Sequence, residues 1–228
     1  MPETKTKKRW TPMFRGSFVR IFEPKLEKNA KGEEINKYSI EGIFEADADF
    51  TQLKEDVKAA IQKKWKGQPP VKTVNVDGVD RIVSAVEMPW RKGTKENFPD
   101  VNPGDNRYEN RPEIHGKTVM NLKSSKIRPG CAKYISKGKV VLIEEAEKAE
   151  IYAGAYYIAS YSVYAWSYMG KNGVSVGINN LIKMKDGEPL SSMVQADREF
   201  DSIDGDVYGV ADVDNSAEFQ SALDDLGI

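Results

Sequence analysis

The chemistry open to this chain rests on cations and flat rings rather than on nucleophiles. It holds one cysteine, Cys131, and one histidine, His115. Disulfide frameworks and Cys/His zinc sites need more of these residues, and Ser/His or Cys/His catalysis would have to rest on this single pair, so those classes are nearly excluded. Three stretches stand out instead. Between residues 117 and 139 lie Lys117, Lys123, Lys126, Arg128, Lys133, Lys137 and Lys139, with no acid among them. Residues 77–116 are rich in glycine and proline and interleave Trp90, Arg91, Lys92, Phe98, Arg107, Tyr108 and Arg111. From Ile151 to Gly170 the chain has no charge, yet it carries six tyrosines and Trp166. Cations neutralise phosphates, and exposed rings stack on unpaired bases at about 1–3 kcal/mol per base.

Net charge conceals a division between two parts of the chain. From Asp197 to Ile228 there are ten acids and one base, Arg198, so this tail carries −9; with 34 basic and 35 acidic residues in all, the remainder carries +8. A basic body points to a polyanionic partner, and a separate acidic tail to a second role. The tail's acids alternate with Phe200, Ile203, Val207, Tyr208, Val210 and Val213, and it ends on Phe219, Leu223 and Leu226 at helical spacing after Ser216. Such a segment reads as flexible, with a tip (Phe219, Leu223, Asp224, Asp225, Leu226, Ile228) that folds on a protein partner. Tethered beside a basic groove it also competes with a polyanion.

Apparent motifs fail on inspection. Gly116-Lys117-Thr118 ends like a phosphate-binding P-loop, but Arg111 stands where the first glycine is required. Asp100, Asn102, Gly104 and Asp105 place the glycine one position early for a calcium loop. Pro99-Asp100 opens like a nuclease signature without the Glu-x-Lys pair that completes a metal site. No catalytic constellation emerges, no cofactor or metal is implied, and the expected role is binding rather than turnover.

The elements that must position these residues are mainly β. At 228 residues, 39% hydrophobic and 30% charged, the chain is long enough for one sizeable core. Residues 14–22 alternate Phe14, Gly16, Phe18, Arg20 and Phe22 against Arg15, Ser17, Val19 and Ile21, and residues 38–44 alternate likewise, predicting two strands joined by a long exposed turn. Gly16 and Gly42 inside those strands suggest bulges that curl a sheet into a barrel. Phe50, Leu53, Val57, Ala60, Ile61 and Trp65 recur at helical spacing, capped by Asp47 or Asp49 and ended by Gly67, Pro69 and Pro70, with Trp65 on the core stripe. A short strand, 71–76, precedes the breaker-rich stretch 77–116, which reads as one long functional loop. Further strands are expected at about 117–123, 139–143, 155–168 and 174–183, with a helical piece at 144–149 and a hairpin turn at Asn172-Gly173.

The uncharged stretch could be mistaken for a membrane span, but its branched aliphatics are only Ile151, Ile158 and Val163, so it would enter lipid poorly. Read as a strand, it puts Ala155, Tyr157, Ala159, Tyr161, Val163 and Ala165 inward and Tyr156, Ile158, Ser160, Ser162, Tyr164 and Trp166 outward. The outward rings would form a stacking platform beside lysine-bearing strands. The N-terminus, Pro2, Glu3, Lys5, Lys7, Lys8, Arg9, has no apolar stretch of a signal peptide, so a cytosolic setting and a free Cys131 thiol are expected.

Phe14-Arg15-Gly16-Ser17-Phe18-Val19-Arg20, Ile151-Tyr152-Ala153-Gly154, Gly173-Val174-Ser175-Val176-Gly177-Ile178-Asn179-Asn180 and Asp186-Gly187-Glu188-Pro189-Leu190 resemble the OB-fold single-stranded-DNA-binding proteins of tailed bacteriophages. The resemblance covers roughly residues 10–196. It implies a partly open five-stranded barrel that binds a strand without strong sequence preference, acting in replication or recombination in the cytoplasm of an infected bacterial host. The expected division is a binding domain at 1–196, with 77–116 as a loop insertion, and an acidic flexible tail at 197–228. The expected nucleic-acid-binding residues are Trp90, Arg91, Lys92, Arg107, Tyr108, Arg111, Lys117, Lys123, Lys126, Arg128, Tyr156, Tyr164 and Trp166. Expected partners are single-stranded DNA and, through the tail, replication or recombination proteins; a homodimer stays open. A reading from another class is a virion or assembly protein whose β-sandwich presents its cations to an acidic protein.

Overall fold

The computed structural model describes residues 9–28, 32–125 and 127–190. Lys126 and every residue named above in the tail lie outside the described residues. In chain order the elements are β1 (Phe14–Lys28), β2 (Glu34–Phe44), helix α1 (Thr51–Trp65), β3 (Val71–Val76), β4 (Val79–Ser84), β5 (Val86–Glu87), β6 (Trp90–Lys92), β7 (Thr118–Ser125), β8 (Gly130–Ser136), β9 (Lys139–Leu142), β10 (Tyr156–Tyr168) and β11 (Lys171–Lys185). Short 3-10 turns occupy Lys95–Asn97, Pro112–Ile114 and Glu145–Glu150.

Five strands close into a ring. β1 runs antiparallel to β2 and β10, β2 to β7, and β10 to β11. A parallel contact between β7 and β11, Leu122 with Val176 and Lys123 with Gly177, completes the circuit. This is the OB-like architecture that the family resemblance implied. The ring is irregular, because one edge of β11 is shared in series: β5 at Asn172 and Gly173, β7 at Val176 and Gly177, and β8 from Asn180 to Lys183. β9 extends the sheet from β8, while β3 and β4 form a separate two-stranded ribbon.

The ring closes over aromatics and branched chains. Phe14, Ile40, Phe44, Leu122, Tyr157 and Leu181 are all sealed in the main core. Gly16 and Gly42, expected at bulges, instead pair directly across β1 and β2 in regular register. They make room for rings: a Cβ at Gly16 would stand 2.6 Å from Tyr157 Cε2, and one at Gly42 2.8 Å from Phe44 Cε2. The bulge lies next door, between Ser17 and Arg20, where Phe18 takes a left-handed φ of 46°. The alternation that set Phe18 beside Phe14 therefore breaks, and Phe18 turns outward.

Helix α1 buries Leu53 and Val57, with Ile61 and Trp65 packed on a smaller cluster formed with Val86 and Val174. Asp49 accepts the Thr51 N–H at 2.8 Å, and the helix ends in left-handed Lys66 and Gly67. Three expectations need correction. β1 and β2 run on through most of the supposed turn after Pro24, pairing as far as Lys28 with Glu34. The breaker-rich stretch is not one loop, since Asp77-Gly78 is a tight turn with both residues at positive φ that joins β3 to β4, and β5 and β6 follow. The β10–β11 turn falls at Met169-Gly170, both at positive φ, which leaves Asn172 and Gly173 inside β11. β8 was not foreseen, and the expected helical piece at 144–149 is the 3-10 turn Glu145–Glu150.

What remains of the long loop, residues 93–117, is anchored rather than loose. Phe98 and Ile114 form a second small core with Ile43 and Val119 of the sheet. Gly93 donates to the Lys117 carbonyl at 2.8 Å and accepts from Gly116 at 3.1 Å, pinching the loop at its base. No helix among the described residues is long and apolar enough to cross a membrane.

Candidate nucleic-acid interface

The inward face of β10 is as the alternation requires: Ala155, Tyr157, Ala159 and Tyr161 are buried. Its outward face meets outward residues of β11, β7 and β6 in an open groove of about 260 Å³, lined by Trp166, Ser175, Asn121, Lys123, Val119 and Arg91 among others. The Trp166 indole N–H donates to Ser175 Oγ at 2.9 Å, and its ring lies over Gly173, where a Cβ would come within 2.6 Å. That glycine is the local reason the indole can lie flat along the sheet. Tyr164, opposite Ser175 in the ladder, is 50% exposed. Among the described residues Lys123 has no carboxylate within ion-pair distance. Partial desolvation, then the charges of Lys37 and Arg91, push its ammonium below the ordinary lysine range.

Beside the groove the anchored loop builds an arginine cluster on one buried acid. Glu41 of β2 is 4% exposed, held by Arg111 at 2.5 Å and Arg91 at 3.7 Å. Arg111 also pairs with Glu113 at 2.9 Å. Rings are stacked among the guanidiniums: Arg91 sits 4.0 Å over Phe98, and Arg111 lies 4.8 Å from Phe18 and 5.7 Å from Phe98. Burial, followed by repulsion from Arg111 and Arg107, lowers the Arg91 pKa against the pull of Glu41. Arg111 is thus held by two carboxylates, whereas Arg91 has only the longer contact to Glu41, and it is Arg91 with Lys123 that is left open to a phosphate.

The structure brings Arg91, Arg111, Lys123, Tyr164 and Trp166 to this face. Arg107 is exposed on the same loop, its backbone N–H on Asp100 at 2.8 Å, and Lys92 reaches Thr118 Oγ1 at 3.4 Å. Other expected residues are engaged wholly or partly elsewhere. Trp90 lines the groove but also packs on the main core, 6.3 Å from the Phe50 ring, while Tyr108 stacks on His115 at 4.0 Å. Lys117 pairs with Glu45 at 2.8 Å, while Arg128 pairs with Glu145 at 2.9 Å and covers Phe22. Tyr156 carries Lys185 at 4.5 Å over its ring, about 26 Å along the strand from Tyr164 at 3.3 Å per residue.

Sequence reading missed Glu41, Asn121 and Ser175, while Phe98, named among the loop aromatics, pins the loop to the sheet. Period-two alternation would have put Asn121 and Ser175 outward; nothing local reveals that Glu41 is covered by a loop arriving 70 residues later. Among the described residues no group of His, Cys, Asp and Glu could hold a metal ion.

Comparison with known proteins gives these features a family. Among solved structures, the single-stranded DNA-binding protein from bacteriophage Enc34 in complex with ssDNA matches with a TM-score of 0.56 at 18% identity, over 80% of this chain and 88% of that one. The same phage protein in another structure gives 0.54 at 15% identity, over 86% and 87%, and its C-terminal truncation gives 0.54 at 19%, over 79% and 87%. At such identities these matches establish a shared fold. No curated protein matches the chain. The model of the Enterobacter phage Enc34 ssDNA-binding protein family matches residues 7–209, most of the sequence, and the chain belongs to that family.

Proposed function

We propose that the protein binds single-stranded DNA across the outer face of the ring, with little sequence preference, during phage replication or recombination. The observation that carries this is the groove itself: Trp166 of β10 shares it with Lys123 of β7 and Arg91 of β6, and Tyr164 lies opposite the groove residue Ser175 in the ladder, near the β10–β11 hairpin. In OB folds the third strand of the ring, here β7, and the loop between the last two, here the β10–β11 hairpin, meet oligonucleotides. Phosphates would lie along Lys123, Arg91, Arg111 and Arg107, and bases on Trp166 and Tyr164.

A titration with oligo-dT tests it. Tryptophan fluorescence should quench on binding, and log affinity should fall against log salt by about 0.7 per neutralised phosphate. Flat fluorescence, or affinity indifferent to salt, would overturn the reading. The tail at 197–228, with its −9 charge and interleaved apolar residues, is the segment we assign to recruiting replication or recombination proteins and to competing for the groove. Its deletion should tighten binding to oligo-dT; unchanged affinity would remove the competition.

A further inference from the structure

Among the described residues the aromatic held at a left-handed φ is Phe18. An aromatic at a left-handed φ of 46° is a strained outlier, and the ring it presents is 59% exposed. A fold that only needed a bulge there would take glycine at that φ, and one that needed apolar packing would turn the ring inward. Instead the bulge lifts the ring out of the sheet and lays it 4.8 Å from the Arg111 guanidinium. That guanidinium is fixed in turn by Glu41 and Glu113. The ring thus has a cation beside it and a large area open to solvent, at the margin of the arginine cluster.

Resting on the single-strand-binding reading above, we propose that Phe18 is a base-stacking residue of this face, its backbone strain maintained to present the ring. A nucleobase lies on the open side of the phenyl, and Arg111, itself fixed by Glu41 and Glu113, holds the ring's position. The bound strand therefore runs from the β10–β11 hairpin past the arginine cluster to the bulge of β1, longer than the groove alone would hold.

The test is Phe18→Gly, which relieves the strain while deleting the ring, set beside Phe18→Tyr, which keeps it. Phe18→Gly should melt at or above the wild-type temperature yet bind oligo-dT about 5- to 100-fold more weakly, with an unchanged salt slope. Phe18→Tyr should stay within about twofold of wild type, the stacking face being kept. On an oligonucleotide with abasic sites, wild type should lose more affinity than Phe18→Gly does. Equal affinity of wild type and Phe18→Gly for oligo-dT, or equal losses on the abasic strand, would overturn the inference and leave the single-strand reading standing. Should Phe18→Gly fail to fold, a Phe18→Leu chain as tight as wild type would overturn it. Wild type that binds no oligo-dT would instead remove the underlying reading.

Discussion

The two ends of β10 carry the same ingredients and use them differently. At one end Tyr156 lies between Lys185 and Arg15 in the ladder, with buried Lys183 opposite the neighbouring Tyr157; at the other, Trp166 shares the groove with Lys123 and Arg91, and Tyr164 lies opposite Ser175. At the Tyr156 end the cations are satisfied within the protein. Arg15 donates to the carbonyls of Gly154 and Glu188 at 3.2 and 2.6 Å, and Lys183 is held by Glu150 and Asp186 at 2.5 and 2.7 Å. At the groove end Arg111 is likewise held twice, by Glu41 and Glu113, but Arg91 has only the longer contact to Glu41 and, among the described residues, Lys123 has no carboxylate within ion-pair distance. Aromatics beside cations do not by themselves make an interface; positive charge left over after the protein's own contacts does.

The largest effect expected from disturbing this contrast is on stability. Arg111→Met leaves Glu41 buried with only the longer Arg91 contact, so unfolding free energy should drop by about 3 kcal/mol, read by urea denaturation. Adding Glu41→Gln should restore more than half of that loss, because the uncompensated charge is gone. Lys183→Met at the other end should cost less, about 1 kcal/mol, since Glu150 and Asp186 keep access to water. If Lys183→Met proved the costlier change, the account of which end holds a buried, shared charge would be wrong.

Next in size is the effect on affinity. Trp166→Ala and Tyr164→Ala should each weaken oligo-dT binding by about 1–3 kcal/mol, whereas Tyr156→Ala should change it by less than about 0.5 kcal/mol. A comparable loss at Tyr156 would mean that the strand covers the whole of β10 and that the two ends are functionally alike.

How far these ends could be told apart in the sequence follows from how local each signal is. The alternation through Ala155, Tyr157, Ala159 and Tyr161 gave the buried face of β10, since a strand's period is a property of neighbouring residues. The outwardness of Tyr164 and Trp166 followed from it. β8 escaped notice because its one lysine, Lys133, read as part of a cation cluster and its ladder partner, β11, lies some fifty residues further on. β4 was hidden by counting Asp77-Gly78 as a loop breaker rather than as a two-residue hairpin turn. The arginine cluster was half legible. Arg91 and Arg111 stood out as cations among aromatics, but the acid that gathers them is on β2, and Phe18 faces outward only because a bulge reverses the alternation. Tertiary closure, which no local pattern encodes, decided those positions.

Lys123→Met separates charge from shape at the groove end. Affinity should fall with the salt slope reduced by about 0.7, the loss of one phosphate contact. Stability should move the other way. The ammonium of Lys123 is less favoured in the folded protein than in the unfolded chain, so near its titration the folded state binds fewer protons and stability rises with pH toward the ordinary value of 10.5. Removing the charge should make the variant at least as stable as wild type at neutral pH and erase that upward component. A variant less stable at neutral pH would show that attraction to a partner outweighs the desolvation and like-charge cost of the Lys123 ammonium.

The smallest effect is expected at the opposite end, and its smallness is informative. Lys185 lies 4.5 Å over the Tyr156 ring, a solvent-facing cation–π pair worth about 0.5–1 kcal/mol. Lys185→Ala should therefore lower stability by no more than that, a shift of roughly 2–4 °C in melting temperature for a chain of this size. Oligo-dT affinity and its salt slope should stay at wild-type values, because the lysine's charge is already directed at a ring of its own protein. A reduced slope would place a phosphate at Lys185 and carry the DNA path beyond the groove to the far end of β10, and the distinction between occupied and surplus cations would then have to be drawn elsewhere on the sheet.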